Sequence, residues 1–324
     1  MTAAGCSGDD GGSGSGGTSG TSATGGSTTA GSSTGSPTTG STSSDTGTST
    51  STTAGSSTTA GDTTGTTTGG GDVDPFRVTE LYVRDPHFFA DVSLLGCNDV
   101  TDLEILGMKG VNPSFNEAMT TDVDDDAGSG NPDGNLDLSF MLLFQPLDQA
   151  GSGPFDFQRA DCKVPASMTV CSPRDGATVS SFNYTSMMDA TCLEADPAHL
   201  TNMYSPKPNT VTGDCFSSTG DVLVLQLGDI ELPLTDAQVA ATYDADPADN
   251  FMTGLIVGFL SEADAAVATL PQSIQDSTGA TFVADLLPGS ASNCAGHDDR
   301  DDNNGTSGWW MYVDFKAERV PWTP

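Results

Sequence analysis

The fold is predicted from one stretch of the chain, Leu136-Asp137-Leu138-Ser139-Phe140-Met141-Leu142-Leu143-Phe144. Its later residues are apolar at every position rather than at alternate ones, which is typical of a strand that is buried on both faces. We therefore expect it to be a central strand of a β-sheet. An acidic segment, Asp122-Val123-Asp124-Asp125-Asp126 followed by Asp133-Gly134-Asn135, leads directly into it.

Other segments also have the composition of strands. Residues 76–83 and 309–317 are rich in β-branched and aromatic side chains, and shorter segments of this kind occur at 91–95, 103–106, 222–227 and 230–234. In the last long segment, Met311, Val313 and Phe315 face one way and the intervening residues face the other. Adjacent Trp309 and Trp310 must then lie on opposite faces. We expect the first strand to pair with the last.

One region has helical composition. Thr235 is placed as the N-cap of a helix over 236–243. A second helix over 251–269 would carry Leu255, Phe259, Ala263 and Val267 on one stripe and end at Pro271. The fold class predicted is mainly β, of β-sandwich-like form, with an inserted helical pair at about 235–270.

The first part of the chain has a different composition from the rest. Residues 7 to about 72 consist almost wholly of Ser, Thr, Gly and Ala and contain no Lys, Arg or aromatic residue. Such a segment cannot bury enough apolar surface to offset the entropy of ordering it. We therefore expect a short leader remnant at 1–6, a long disordered tether at 7–74, and one globular domain at 75–324, since about 250 residues suffice for a sizeable core.

The chain is strongly acidic, with a formal net charge of -34 and only ten Lys and Arg residues. Nucleic acids and anionic lipid surfaces would repel it. The composition therefore excludes nucleic-acid binding and favours solubility or cation binding. The three histidines are far apart in the sequence and have no metal-ligand spacing, and His87 is interpreted as structural.

Six of the seven cysteines lie in the globular part, and none is in a CxxC motif. Six scattered cysteines on an exported chain predict three disulfides. From proximity and elimination we expect the pairs Cys162–Cys171, Cys192–Cys215 and Cys97–Cys294. Other pairings of the six remain open at this point.

The seventh cysteine follows Ala3-Ala4-Gly5, and Ser7 comes after it. This segment resembles the lipobox of bacterial lipoproteins, although Ala3 stands where Leu is usual and no charged and apolar signal segment precedes it. The resemblance implies a lipid-modified Cys6, and the alternative is a chance Gly-Cys pair. The tether after Cys6 fits the lipoprotein interpretation. The overall plan resembles surface lipoproteins of myxobacteria to which no activity is assigned.

The acidic segment carries a second resemblance. Without the residues between Asp126 and Asp133 it reads DxDxDGxxD, which is similar to the calcium loops of dockerin modules, thrombospondin type-3 repeats and integrin propeller blades. The resemblance implies Ca²⁺ bound by Asp122, Asp124, Asp133 and Asp137, with Asp126 and Asn135 as alternates. The alternative is an exposed acidic loop without an ion.

A further acidic patch precedes the last strand. Asp299, Asp301 and Asn303 alternate before Gly305, which predicts a second cation site, whereas Arg300 favours simple ion pairing with its neighbours.

These observations lead to three alternative functions. The leading hypothesis is a non-enzymatic lipoprotein on the outer membrane or cell surface, or else secreted, which binds an unknown extracellular protein or glycan. It would contact the membrane only through its lipid anchor. The second is a tethered hydrolase of an extracellular polymer, which would bring two carboxylates with perturbed pKa values together. The third is a structural component of the envelope.

Overall fold

The architecture was obtained from a computed structural model, which describes residues 73–92, 96–105, 108–123, 132–220, 222–227 and 230–324. Among the described residues, regular secondary structure consists mostly of β-strands, as the sequence predicts. In chain order the strands are β1 (Asp74–Asp85), β2 (Phe89–Val92), β3 (Gly96–Asp99), β4 (Glu104–Ile105), β5 (Met108–Lys109), β6 (Phe140–Phe144), β7 (Ser152–Cys162), β8 (Cys171–Pro173), β9 (Ser180–Leu193), β10 (Val211–Thr219), β11 (Leu223–Leu227), β12 (Ile230–Tyr243), β13 (Asn250–Ser261), β14 (Asp301–Asn303) and β15 (Thr306–Arg319).

The helices in the described residues are short. They are α1 (Val111–Ala118), α2 (Glu262–Ala265) and α3 (Gln272–Thr278), with single 3₁₀ turns at Ala166–Met168 and Val283–Leu286. No helix within the described ranges has the length and apolar character needed to cross a membrane.

The main sheet is antiparallel and closes on itself. Its strands follow the order β1-β6-β7-β9-β10-β12-β13-β15, and β15 pairs again with β1. Strand β14 extends from β15, β11 pairs with β12, and β8 pairs with β7. The sheet is therefore one continuous layer around a single interior, which leaves fewer exposed strand edges than two separate sheets would have.

The predicted pairing of the first and last strands is confirmed. Phe76 lies opposite Arg319, and Val83 lies opposite Val313. The predicted alternation in β15 is also confirmed, because Met311, Val313 and Phe315 belong to the interior core.

The interior is filled by aromatic rings from strands on all sides. The ring of Phe76 in β1 stacks on that of Phe251 in β13 at a centroid distance of 4.1 Å. Phe144 in β6 contacts Phe155 in β7 at 5.0 Å and Phe216 in β10 at 5.2 Å. All five residues of β6 are buried, as expected for the central strand. Burial of this apolar surface is the main stabilising contribution to the fold.

Three disulfides occur among the described residues, and they are the three pairs expected from the sequence: Cys97–Cys294, Cys162–Cys171 and Cys192–Cys215. Two of them lie in small apolar clusters on the outer face of the sheet. Cys162 and Cys171 pack with Leu136 and Val320, and Cys215 packs with Leu255 and Tyr312.

Helix α1 takes the place of a strand beside the second half of β1. Strand β6 pairs only with the first four residues of β1. Further along, the side-chain amide of Asn112 bonds to both backbone groups of Val83, at 2.7 and 3.0 Å. The amide of Asn116 does the same for Leu81, at 3.0 and 2.8 Å. These bonds satisfy backbone groups that would otherwise be buried without partners.

The predicted helices over 236–243 and 251–269 are wrong. The first segment lies in β12, and most of the second lies in β13. Thr235, the expected N-cap, pairs in a sheet with Phe259. Asp236 has a φ of 50° next to a β-bulge, and Pro271 precedes a helix rather than ending one.

The reason for this error is the four-residue spacing of Leu255 and Phe259. Residues four apart share a face in a helix, but they also share a face in a strand, whose period is two. The alanines of β12 favour a helix in isolation, yet Ala237, Ala240 and Ala241 are fully buried in the sheet. Val267 is 73% exposed and lies on no buried stripe.

The predicted tether and the leader remnant with Cys6 lie outside the described residues, except for the last two tether positions. Val73 and Asp74 belong to the start of the folded part, where Asp74 begins β1.

Candidate functional site

The two ends of the predicted calcium loop lie side by side. Asp122 Oδ1 accepts a hydrogen bond from the backbone N of Asp133 at 3.1 Å, and Oδ2 accepts one from Gly134 at 2.8 Å. Gly134 has a φ of 90°, a conformation that favours glycine. The turn that the resemblance assigns to this glycine is thus formed.

Asp137 joins the same region from the other end of the loop. Its Oδ1 accepts a hydrogen bond from the backbone N of Val123 at 3.0 Å. The structure therefore joins Asp122 to the segment 133–134 and Asp137 to Val123, but the described carboxylates of the loop are not grouped closely enough for three of them to hold an ion together. Asp124 and Asp126 lie outside the described residues.

Asn135 contacts Asp133 within this loop. Its side-chain amide donates to Asp133 Oδ2 at 3.0 Å, and its backbone N donates to Oδ1 at 2.7 Å. These bonds hold the pKa of Asp133 below its ordinary value. The other atom of the side-chain amide, Asn135 Oδ1, is buried and has no hydrogen-bond partner within the described ranges. The loop ends thus present oxygen atoms, the ligands that Ca²⁺ prefers.

The second predicted cation site forms a β-hairpin. Asn303 pairs with Thr306, and the two residues between them, Asn304 and Gly305, both have positive φ, at 55° and 87°. Two such residues make the tight turn that joins antiparallel strands. The glycine in this patch therefore serves the hairpin turn.

The side chains of this patch do not converge on one point. Each contacts a different protein group: Asp299 accepts a hydrogen bond from Tyr204, Asp301 contacts His199, and Asn303 donates to Asp236. Within the described ranges, no three or more His, Cys, Asp or Glu side chains are grouped so as to hold a metal ion.

Asp299 and Asp301 instead belong to a polar site that the sequence did not predict. This site lies under the connection between β9 and β10, which comprises residues 194–210. We call this connection the strap. Most strap side chains are exposed, but Tyr204 is only 5% exposed because its ring is inserted into the protein. Leu200 of the strap packs on the outer apolar cluster around Tyr312.

The ring of Tyr204 lies flat against His87. The two ring centroids are 4.0 Å apart and the rings are parallel within 3°. His87 Nδ1 contacts Asp99 Oδ2 at 2.5 Å, while its Nε2 is buried and has no hydrogen-bond partner in the part of the chain that the structure describes. Burial acts to raise the pKa of Asp99, but hydrogen bonds from His87 and Thr101 outweigh it and the pKa is lowered.

The hydroxyl of Tyr204 contacts two further groups. It donates to Asp299 Oδ2 and lies 2.9 Å from His297 Nε2. Burial, together with the hydrogen bond to Asp299, raises the pKa of Tyr204 above its ordinary value. The hydroxyl therefore stays protonated and acts as a donor toward the carboxylate.

Asp85 is the most deeply buried carboxylate of this site, at 3% exposure. Its Oδ2 accepts a hydrogen bond from the backbone N of Thr201, in the strap, at 3.0 Å. Burial is the main reason that the pKa of Asp85 rises from 3.8 to about 7, and the negative charge of Asp299 adds to it. The Thr201 bond and the charges of His87 and Lys207 oppose the rise.

The remaining histidine also lies at the strap. His199 Nδ1 is 3.1 Å from Asp301 Oδ1, although the two groups are not aligned for a hydrogen bond. The imidazole lies against Trp310, with ring centroids 5.3 Å apart. Trp310 is on the outer face, whereas the neighbouring Trp309 is fully buried, as their adjacent positions predicted.

All three histidines of the chain therefore meet the strap, and each contacts a carboxylate. We call Asp85, His87, Asp99, Tyr204, His297 and Asp299 the histidine cluster. One feature of the sequence pointed to this cluster, because the predicted Cys97–Cys294 disulfide joins the segments that carry Asp99 and His297. No spacing within the sequence identifies the contribution of Tyr204.

The cluster contains the elements of acid–base chemistry. A histidine oriented by a carboxylate and a carboxyl group with a raised pKa can each accept or donate a proton near neutral pH. Among the described residues, no Ser, Thr or Cys side chain is hydrogen-bonded to a histidine ring, so the arrangement lacks the contact of an activated nucleophile.

Comparisons with known proteins found no match to this chain among family models, curated proteins or solved structures.

Proposed function

We propose that this chain is a non-enzymatic domain held at the outside of a bacterial cell by a lipid on Cys6 and a long tether, where it binds an extracellular protein or glycan. The observation that supports this best is the set of three disulfides, which pairs every cysteine of the globular part. Disulfides form and persist in oxidising compartments outside the cytoplasm.

The excess of negative charge on the domain favours a cationic or basic partner. Seven of the basic side chains are paired with carboxylates, in the pairs Arg77–Glu318, Arg84–Asp314, Lys109–Glu117, Arg174–Asp161, Arg300–Asp298, Lys316–Glu80 and Arg319–Asp74. The excess carboxylates leave the domain negative and favour cations or basic partners over anionic polymers. Calcium held between the ends of the acidic loop would stabilise this domain and belongs to the same proposal.

The anchor is tested by metabolic labelling with a fatty-acid probe in a bacterial host, using the full coding sequence with its own signal. Label on the wild-type protein and none on Cys6→Ala is expected. Cys6→Ser gives a second substitution of similar size. Label that persists in both variants, or no label on the wild type, would contradict the anchor.

Surface location has its own test. Protease added to intact cells should remove the folded domain, because the predicted disordered tether before β1 would expose many peptide bonds. A periplasmic marker protein must survive the same treatment. Protection of the domain in intact cells together with digestion after lysis would place it inside the envelope and contradict the proposal.

The rival function, a tethered hydrolase, is favoured by one observation. Asp85 and Asp299 lie close enough for the charge of one to raise the pKa of the other, next to the His87–Asp99 pair. It is second because the strap covers these groups. Hydrolysis of a panel of extracellular polysaccharides and peptides that disappears in both Asp85→Asn and His87→Gln would establish it over the binding function.

A further inference from the structure

We propose that the strap is a pH-dependent latch, which stays closed over the histidine cluster while the buried carboxyl group of Asp85 is protonated and detaches as this proton is lost. This device is independent of whether the domain binds a partner or acts as an enzyme. It rests on how the strap is attached, on the burial of Asp85 and on the charges that face Asp85.

The strap is attached to the sheet mainly through ionisable groups. Thr201 donates its backbone N–H to Asp85, and the Tyr204 hydroxyl donates to Asp299. Asn209 donates its backbone N–H to Asp314 Oδ1 at 2.8 Å near the end of the strap. A change in protonation of the carboxylates therefore acts directly on the bonds that hold the strap.

His297 contacts the strap through the hydroxyl of Tyr204. Its Nδ1 lies 3.2 Å from the carbonyl oxygen of Ala295, which can only accept. Its Nε2 lies 2.9 Å from the hydroxyl of Tyr204, whose single proton is donated to Asp299. His297 and Asp299 therefore both contact the same hydroxyl of the strap, and detachment of Tyr204 removes both contacts.

Asp85 faces charged groups from every element packed around it. Asp299 approaches from the loop before β14, His87 from the segment after β1, and Lys207 from the strap itself. Lys207 Nζ in turn donates to the carbonyl oxygen of Thr201 at 2.5 Å. Tyr312 of β15 and Tyr204 of the strap are neutral titratable neighbours of Asp85. Loss of the proton from Asp85 puts a second buried negative charge beside Asp299, which opposes closure.

The direction of the pH dependence follows from the raised pKa of Asp85. In the closed form this pKa is about 7, against 3.8 for an exposed carboxyl. Closure therefore binds a proton at intermediate pH, and its stability falls as the pH rises from about 4 toward 7 and levels off above that.

Opening of the strap would change what the surface presents. Tyr204 covers the ring of His87 and occupies the hydroxyl-binding position between His297 and Asp299. With the strap detached, two imidazoles and the carboxylates of Asp85 and Asp299 become accessible to solvent. The latch thus controls the exposure of the histidine cluster.

The test is amide hydrogen exchange of the folded protein, measured for the peptides that contain Thr201 and Tyr204. The exchange rates are expressed as protection factors, which corrects for the pH dependence of the chemical exchange rate itself. The protection of Thr201 should fall by about tenfold between pH 6 and pH 8. In Asp85→Asn, which keeps an acceptor for the Thr201 amide, this fall should be much smaller. Asp175→Asn, at an exposed position, makes the same change of charge and should behave as the wild type.

A second variant distinguishes the latch from general loosening. Tyr204→Phe keeps the ring against His87 but removes the hydroxyl, so strap protection should be lower at every pH with the fall between pH 6 and pH 8 retained. Equal protection of Thr201 at pH 6 and pH 8 in the wild type would overturn the proposal. So would an undiminished fall in Asp85→Asn. Should Asp85→Asn not fold, Asp299→Asn provides the same test, because removing its charge should move the fall to lower pH.

Discussion

Asp85 and Thr201 are 116 residues apart in the sequence, and the backbone N–H of Thr201 donates to the buried carboxyl group of Asp85 over 3.0 Å. This single bond connects the end of the first strand to the strap that covers the histidine cluster. A buried carboxyl beside a second carboxylate is stable mainly in its neutral form, which is why its pKa rises to about 7. The relationship has a consequence for the stability of the whole domain.

Asp85→Asn should stabilise the domain at pH 8 relative to the wild type, by on the order of 2–4 kcal/mol in the free energy of unfolding. The pKa of Asp85 is higher in the folded protein than in the unfolded chain. Its stabilising contribution is therefore fully present below pH 3.8 and is lost as the pH rises to about 7. Asparagine keeps the acceptor and never ionises. Urea unfolding at pH 5 and pH 8 checks this, with Asp175→Asn as the control. The advantage of the variant should shrink at pH 5, and an advantage that grows toward acid pH would contradict the assignment.

The amide of Asn112 supplies the hydrogen bonds of an absent strand, so its removal should be costly. Asn112→Ala leaves the buried N–H and C=O of Val83 without partners and also removes a bond to Asp102 at 2.8 Å. We expect a loss of about 2–4 kcal/mol in the free energy of unfolding. Ser114→Ala, on the exposed face of the same helix, should change it by under about 0.5 kcal/mol. If Asn112→Ala and Ser114→Ala lowered the free energy of unfolding by the same small amount, α1 would not be replacing a strand.

The sequence predicted those features that depend on local composition or on the chemistry of a residue type. The apolar run at Phe140–Phe144 predicted a strand buried on both faces because every position is apolar, and all five residues are buried in β6. The faces of β15 followed from the period of two. The three disulfides followed from the expectation of an exported chain and from proximity and elimination among the six cysteines, and the structure has the same pairs.

The features that depend on tertiary contact could not be predicted. Closure of the sheet requires β12 and β13, whose alanines and four-residue spacing favour helices when read alone. Helix α1 depends on hydrogen bonds from Asn112 and Asn116 to a strand about 30 residues earlier. The histidine cluster is assembled from four distant segments, so no spacing in the sequence encodes it.

The disulfide between Cys97 and Cys294 should contribute more stability than the one between Cys162 and Cys171. The two bonds close segments with sequence separations of 197 and 9 residues. From loop-closure entropy, replacing both cysteines by alanine should cost about 5 kcal/mol for the long loop and about 3 kcal/mol for the short one. Guanidinium unfolding of the two double variants under oxidising conditions measures this.

The same comparison reveals whether the long-range bond supports the histidine cluster. Removal of Cys97–Cys294 should also lower strap protection in hydrogen exchange, since the bond joins the segments that carry Asp99 and His297. Removal of Cys162–Cys171, which lies in a separate apolar cluster, should leave the strap unchanged. An equal effect of both double variants on the strap would mean that the bond has no local role there.

Calcium should raise the melting temperature of the domain through the acidic loop. A hundredfold excess over the dissociation constant would add about 2.7 kcal/mol, which corresponds to roughly 5–10 °C for a domain of this size. Asp122 and Asp137 also bond to backbone amides, so their removal lowers stability with or without the ion. The informative quantity is therefore the increment that calcium adds to each variant, measured against chelator. Asp122→Ala and Asp137→Ala should lose most of this increment, whereas Asp175→Asn should keep it. A melting temperature of the wild type that is the same in calcium and in chelator would show that the loop is only an acidic turn.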